Sequence, residues 1–255
     1  MVQSVYRYRW LLYELTLREL TLRYRGSVLG FAWTFLNPLL AMLVYTLVFS
    51  VYLRLPIPHY AVFLVSGLLP WLWFSSAISA GASSVVDGRT YVGRAIFEPA
   101  ILIFVPILSN GINYLLSVPL LLAVAAFFGV PVGWPIVTLP VLIAIQALLT
   151  LGILLSLATL NVFYRDLQQL MVTILGLAFY LAPIFYPLTS VPERIRPFLF
   201  VDPMVPLVLG YQNIFYYGRL PNALLTAYAL AAALLLCAIG RRVFNRYKHA
   251  FADYA

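Results

Sequence analysis

Charged residues along this chain are gathered into short clusters, and long stretches between them contain none. Residues 26–53 carry no Asp, Glu, Lys or Arg over 28 positions, and residues 55–86 none over 32. Residues 99–164 carry none over 66, too many for one crossing. A helix rises about 1.5 Å per residue, so roughly 20 residues cross a hydrocarbon core of about 30 Å. The breaker string GVPVGWP at 129–135 divides the long run in two. Two further runs, 167–192 and 220–240, complete a pattern that predicts six spans, near 31–53, 61–84, 100–128, 136–160, 169–187 and 222–240. The apolar run 203–218 is only 16 residues long and holds Pro203, Pro206 and Gly210. Within the segment 188–221 it predicts a re-entrant or interfacial hairpin, whose backbone must be satisfied by protein or a wet cavity.

Residues 8–25 have a different periodicity. At 100° per residue Trp10, Tyr13, Leu17, Leu20 and Tyr24 share one stripe, while Glu14, Arg18 and Arg25 lie on another face. Glu14/Arg18 and Glu19/Arg23 are spaced i,i+4 with the acid first, the favourable order. The segment reads as an amphipathic helix in the membrane interface. It is either a surface anchor or a docking face for another protein. Charges of both signs suit a protein partner better than an anionic lipid surface.

Composition agrees. Of 255 residues 64% are hydrophobic and 9% charged, against about 25% charged in soluble domains. One membrane domain over 1–255 accounts for the length, with no internal repeat. The net charge of +8 does not indicate nucleic acid, because the basic residues sit between apolar runs. With six spans, twelve Arg and Lys fall on the side of the termini and four on the other, which predicts cytoplasmic termini. The first residues do not look like a cleavable signal sequence, and the single Cys237 offers no disulfide framework.

Candidate chemistry is sparse. Ionisable groups inside spans usually mark ion or proton relays, and the predicted spans hold none. No phosphate-cradling Gly-rich loop ending in Lys-Ser/Thr occurs, and there is no His-Glu-x-x-His, Cys/His metal cluster or catalytic carboxylate pair. The sequence therefore predicts no catalytic and no metal site. Asp166 reads as a locally paired charge or helix cap, and Asn113 and Gln146 as helix-packing groups. Aromatic residues are abundant: Trp71 and Trp73, then Phe179, Tyr180, Phe185 and Tyr186, could pack helices, face lipid, or stack on sugar rings.

The string LRYRGSVLGFAWTFLNP at 22–38 resembles the start of the ABC-type polysaccharide-export permeases, the membrane subunits that export O-antigen, capsule or teichoic acid chains. NVFYRDL at 161–167 and APIFYPL at 182–188, followed by Val191-Pro192 and Asp202-Pro-Met204, are similar to later landmarks of that family. Asp202 stands where Asn is usual, and Gln212 where Arg is common. The resemblance implies an all-α membrane protein with an N-terminal interface helix (8–25), six transmembrane helices (31–240) and an external hairpin. It implies a homodimer in the bacterial inner membrane, joined by two cytoplasmic ATPase subunits that carry the ATP and Mg, with no cofactor on this chain. The substrate would be a lipid-linked polysaccharide. By the same resemblance, Glu14, Arg18, Arg25, Asp87, Arg89, Arg94 and Glu98 would face the ATPase, with 87–98 as a coupling helix or else an ordinary basic loop. Trp33, Phe35, Tyr45, Trp71, Phe179 and Phe185 would line the sugar path. A permease for a drug or small lipid, or a membrane enzyme acting on isoprenoid lipids, remains an alternative reading.

Overall fold

The computed structural model describes residues 6–88, 99–248 and 251. Its described elements are helical: α1 (Arg9–Tyr24), a first span running Gly30–Tyr52 with α2 (Trp33–Thr46) as its regular part, α3 (Tyr60–Ala82), a short α4 (Ser84–Asp87), α5 (Ala100–Phe127), α6 (Leu139–Phe163), α7 (Asp166–Leu181), a short α8 (Arg196–Leu199), α9 (Met204–Phe215) and α10 (Ala223–Tyr247). No strand occurs among the described residues.

Helix α3 is the axis of the bundle. Phe63, Leu64, Leu68, Ile78 and Ala82 are buried along its length, and apolar residues run round every side, interrupted towards its end by Ser75, Ser76 and Ser79. A helix apolar all round is stable only when enclosed by other apolar surfaces. Helices α5, α6 and α9 supply that enclosure. Gln146 of α6 donates to the Pro70 carbonyl at 2.8 Å, which ties α6 to α3 as the packing role predicts.

Helices α6 and α10 are joined by glycine. A Cβ on Gly152 would lie 2.5 Å from the Cys237 backbone nitrogen, and one on Gly240 would collide with the Gly152 carbonyl oxygen. Two backbones approach this closely only where neither carries a side chain, which is how helices associate where lipid is as apolar as leucine.

Among the described residues, five helices have the length and apolarity to cross a membrane: Gly30–Tyr52, Tyr60–Ala82, Ala100–Phe127, Trp134–Phe163 and Ala223–Tyr247. The span expected over 169–187 is not among them. Helix α7 has 16 residues, about 24 Å of rise, and stops at Leu181. Ala182 is extended because Pro183 follows it, and the residue before proline is pushed out of the helical region. The chain then turns into the core, burying Ala182, Ile184 and Phe185. The last helix runs about two turns past the expected 240, its end carrying Arg241, Arg242 and Arg246. The hairpin region 188–221 holds α8 and α9. Helix α9 has 12 residues and is covered by protein, with Leu207, Val208, Tyr211 and Ile214 all fully buried.

Helix α1 packs on one narrow face. Its aromatic stripe points outward: Trp10 is 72% exposed and Tyr13 54%. The face that packs is Leu12, Leu15 and Thr16, against Ile101, Phe104 and Val105 of α5. Ser109 then donates to Glu19 at 2.8 Å, and Tyr24 reaches Asn113 at 3.5 Å. These contacts step in the same direction along both helices, so α1 runs alongside α5. The pattern within α1 shows which residues are apolar, but α5 decides which of them are covered.

Candidate functional site: an aromatic groove and a mixed-charge cleft

Four of the six predicted path residues come together. Tyr45 comes from the first span, Trp71 from α3, Phe179 from α7 and Phe185 from the segment after it. Ring centroids lie 6.2 Å apart for Tyr45–Phe179, 4.9 Å for Tyr45–Phe185, 5.9 Å for Trp71–Phe179 and 4.8 Å for Phe179–Phe185. These are the separations at which edge-to-face and tilted ring pairs attract. The break at Ala182–Pro183 makes the cluster possible, because it folds Phe185 back beneath Phe179. Tyr60 fixes that fold by donating to the Phe185 carbonyl at 3.0 Å, and Gln212 of α9 donates to the Pro183 carbonyl at 2.8 Å. Gly67 leaves the space for Gln212: a Cβ there would sit 3.1 Å from its Nε2.

A groove of about 310 Å³ runs over this cluster, walled by Tyr45, Trp71, Ser75, Ser79, Leu175 and Phe179. Phe185 buttresses it from behind and is 2% exposed. Sequence reasoning missed Phe49, which stacks on Phe185 at 5.1 Å, and Phe74, 5.7 Å from Trp71. Phe49 was signalled by its position one helical turn beyond Tyr45. Trp33 and Phe35 stand apart from the groove. Phe35 meets Phe31 edge-on at 5.6 Å, and Trp33 donates to Ser27 at 3.0 Å and borders a second cavity.

That second cavity, about 330 Å³, lies between α1, the first span, α3 and α5. Its polar lining includes Asn37, Ser76, Asn113 and Ser117, residues scattered over three apolar runs of the sequence. Tyr24 and Thr34 share a hydrogen bond of 2.6 Å beside it, joining the end of α1 to the first span.

At the end of the bundle that carries the start of α1, a cleft of about 610 Å³ separates α1 from α4 and α5. Arg18, Glu19 and Asp87 line it over an apolar floor that includes Leu15, Leu102 and Val105. Two predicted coupling residues, Arg18 and Asp87, thus share one cleft. Asp87 is oriented by Ser83, which donates to its carboxylate at 2.6 Å, and Glu19 pairs with Arg23 at 3.6 Å. Glu14 and Arg25 are exposed and lie outside the lining. Arg89, Arg94 and Glu98 lie outside the described residues, as does most of the 87–98 loop. Asp166 occupies the first turn of α7, where a carboxylate complements the helix dipole.

The arrangement can hold an uncharged, partly apolar molecule against rings, and a protein against mixed charge. No charged side chain is buried among the described residues. The family described as ABC-2 type transporter matches residues 11–216. The chain is similar to the O-antigen export system permease protein RfbA of Myxococcus xanthus, with 41% identity covering 99% of this chain and 98% of that one. It is also similar to RfbA of Klebsiella pneumoniae, at 28% identity over 95% and 94% of the two chains. The polysialic acid transport protein KpsM of Escherichia coli is 23% identical over 92% and 93%. With most of its length matched by the family and nearly all of it by these relatives, the chain belongs to the ABC-2 type transporter membrane family.

Proposed function

We propose that this chain is the permease subunit of an ATP-driven exporter that carries a lipid-linked polysaccharide across the bacterial inner membrane. The observation that carries the reading is the aromatic groove on the charge-free first span, α3 and α7. Rings stack on the apolar faces of sugar rings, and the Tyr45 hydroxyl offers a hydrogen bond at the same place. Such contacts are individually weak and repeat from residue to residue, as a moving polymer requires: favourable enough to enter, weak enough to leave. The relatives named for O-antigen and polysialic acid transport support the same substrate class.

The chain acts as a homodimer with both termini in the cytoplasm, and two ATPase subunits bind its α1 end. Helix α7 and the extended segment after it together make the sixth crossing, which places α9 on the outer side. The ATPase binds and hydrolyses ATP with Mg. This chain's own residues receive the motion: Arg18, Glu19 and Asp87 in the cleft, with Glu14 and Arg25 on the exposed face of α1. Tyr24 bonds α1 to Thr34 of the first span, so a displacement of α1 is delivered to the wall that carries Tyr45.

The test is reconstitution in vesicles with the partner ATPase. Lipid-linked glycan should be translocated and should stimulate ATP hydrolysis, and the double substitution E14A/R18A should lower that stimulation at least fivefold. Translocation of small amphiphiles with indifference to the glycan would reassign the chain to drug or lipid export.

A further inference from the structure

The polar cavity beside the groove has no role in the account so far. It sits in an apolar bundle, where uncompensated polar groups are costly. Much of its lining is satisfied locally: Ser117 donates to the Asn113 carbonyl at 2.8 Å, and Asn110 to that of Pro106 at 2.8 Å. The Tyr114 hydroxyl and the Asn113 side chain are not. The Asn113 Nδ2 is buried without a hydrogen-bond partner, and its Oδ1 accepts only a long bond of 3.5 Å from Tyr24. Asn113 therefore offers a donor into a chamber that Trp33, Asn37, Ser76 and Tyr24 also border.

The charge of the lining narrows what would fit. Arg23 is the one charged residue on it, and Glu19 holds Arg23 at 3.6 Å. A neutral ligand bearing hydroxyls suits that wall better than a phosphate does. About 330 Å³ is at the small end of the ~300–1,000 Å³ typical of small-molecule sites, which leaves room for a sugar residue. Leu72 borders both this chamber and the aromatic groove, so a single side chain divides them.

We propose that the chamber is a subsite for one neutral pyranose residue, built within each protomer. The Asn113 amide donates to a ring hydroxyl, and Trp33 lies against the sugar's face. The assignment rests on the polysaccharide-export reading and deepens it: besides the path along which the chain slides, each protomer holds a place where one sugar is recognised.

The permease–ATPase complex in nanodiscs free of sugar-headed detergent should be titrated with glucose, galactose, mannose, rhamnose and N-acetylglucosamine, and separately with inorganic pyrophosphate. Tryptophan fluorescence and saturation-transfer NMR report binding. At least one hexose should bind saturably, and N113A should weaken it tenfold or more at an unchanged melting temperature. S76L, which fills the chamber from an exposed position, provides the same test if N113A fails to fold. Absence of saturable sugar binding, binding unchanged in both variants, or binding of pyrophosphate alone overturns the subsite. Glycan export measured on vesicles from the same preparation separates the two failures. Export without hexose binding removes the subsite and leaves the function standing, whereas loss of both removes the function beneath it.

Discussion

The first span and α3 are the same length, 23 residues, and both are strongly apolar and free of charge, yet 83% of the α3 window is buried within the chain and only 11% of the first span's. Apolarity determines that a segment leaves water. It does not determine whether protein or lipid receives it. Helix α3 is received by α5, α6 and α9. The first span leaves Leu40, Leu43, Val44, Leu47 and Val51 uncovered, a face suited to lipid or to a second copy. Helix α10 shows a third arrangement: its window is only 17% buried, yet the glycine seam holds it to α6.

The sharpest way to break this contrast is at the seam. Gly240→Leu would drive a side chain into the Gly152 carbonyl, with no flexible neighbour to yield. The expected loss exceeds about 3 kcal/mol, since overpacking here must move two backbones. It would be read as collapse of monodisperse protein in size-exclusion chromatography. The central contrast is tested by a pair. Phe63→Ala, at a fully buried site on α3, should lower stability by about 3 kcal/mol. Leu43→Ala, 61% exposed on the first span, should cost under about 0.5 kcal/mol in the isolated protomer. A larger penalty for Leu43→Ala in the assembled transporter would identify that face as a seam between copies.

Phe179→Ala sharpens the contrast from the side of function. It removes a ring from the groove wall while leaving α3 intact, and should weaken glycan binding about fivefold, from roughly 1 kcal/mol of lost stacking. Vesicle export at limiting substrate measures it. The smallest effect is expected at Asp202. Burial pushes its carboxyl above the usual carboxylate range, and the bond it accepts from the Met204 amide, at 2.9 Å, pulls the other way. A raised carboxyl favours the protonated folded state, so its contribution is present at acid pH and is lost as pH rises through the folded value. Asp202→Asn keeps the acceptor for Met204. It should flatten that part of the stability–pH curve, leaving the melting temperature little changed at acid pH and raising it slightly at neutral pH.

Much of the bundle could be read from the sequence because charge is so costly in hydrocarbon that four charge-free runs mark the five long helices, the run 99–164 holding two of them. The break at 129–135 was legible for a similar reason, since Gly129 takes a left-handed backbone with φ of 69° and Pro131 removes a donor. The end of α7 was misread, although Pro183 marked it, because apolar residues continue past it to Leu188. The covered face of α1 could not be read, because it is set by α5 residues about ninety positions away. The groove was partly legible: Tyr45, Trp71, Phe179 and Phe185 stood out as large rings, and Phe49, a ring one helical turn beyond Tyr45, carried the same signal and was passed over. The polar chamber was not legible at all. Asn37, Ser76, Asn113 and Ser117 are isolated in three apolar runs, and only the packing of those helices brings them face to face.

The Gly152–Gly240 seam bears on how this molecule deforms. Two long helices locked backbone to backbone behave as a girder, so α6 and α10 resist shear as one body. The first span and α7, clasped mainly by stacked rings, are the compliant members. In the proposed coupling, a push arriving through Tyr24 would spend its displacement on the wall of the groove and leave the far side of the protomer still.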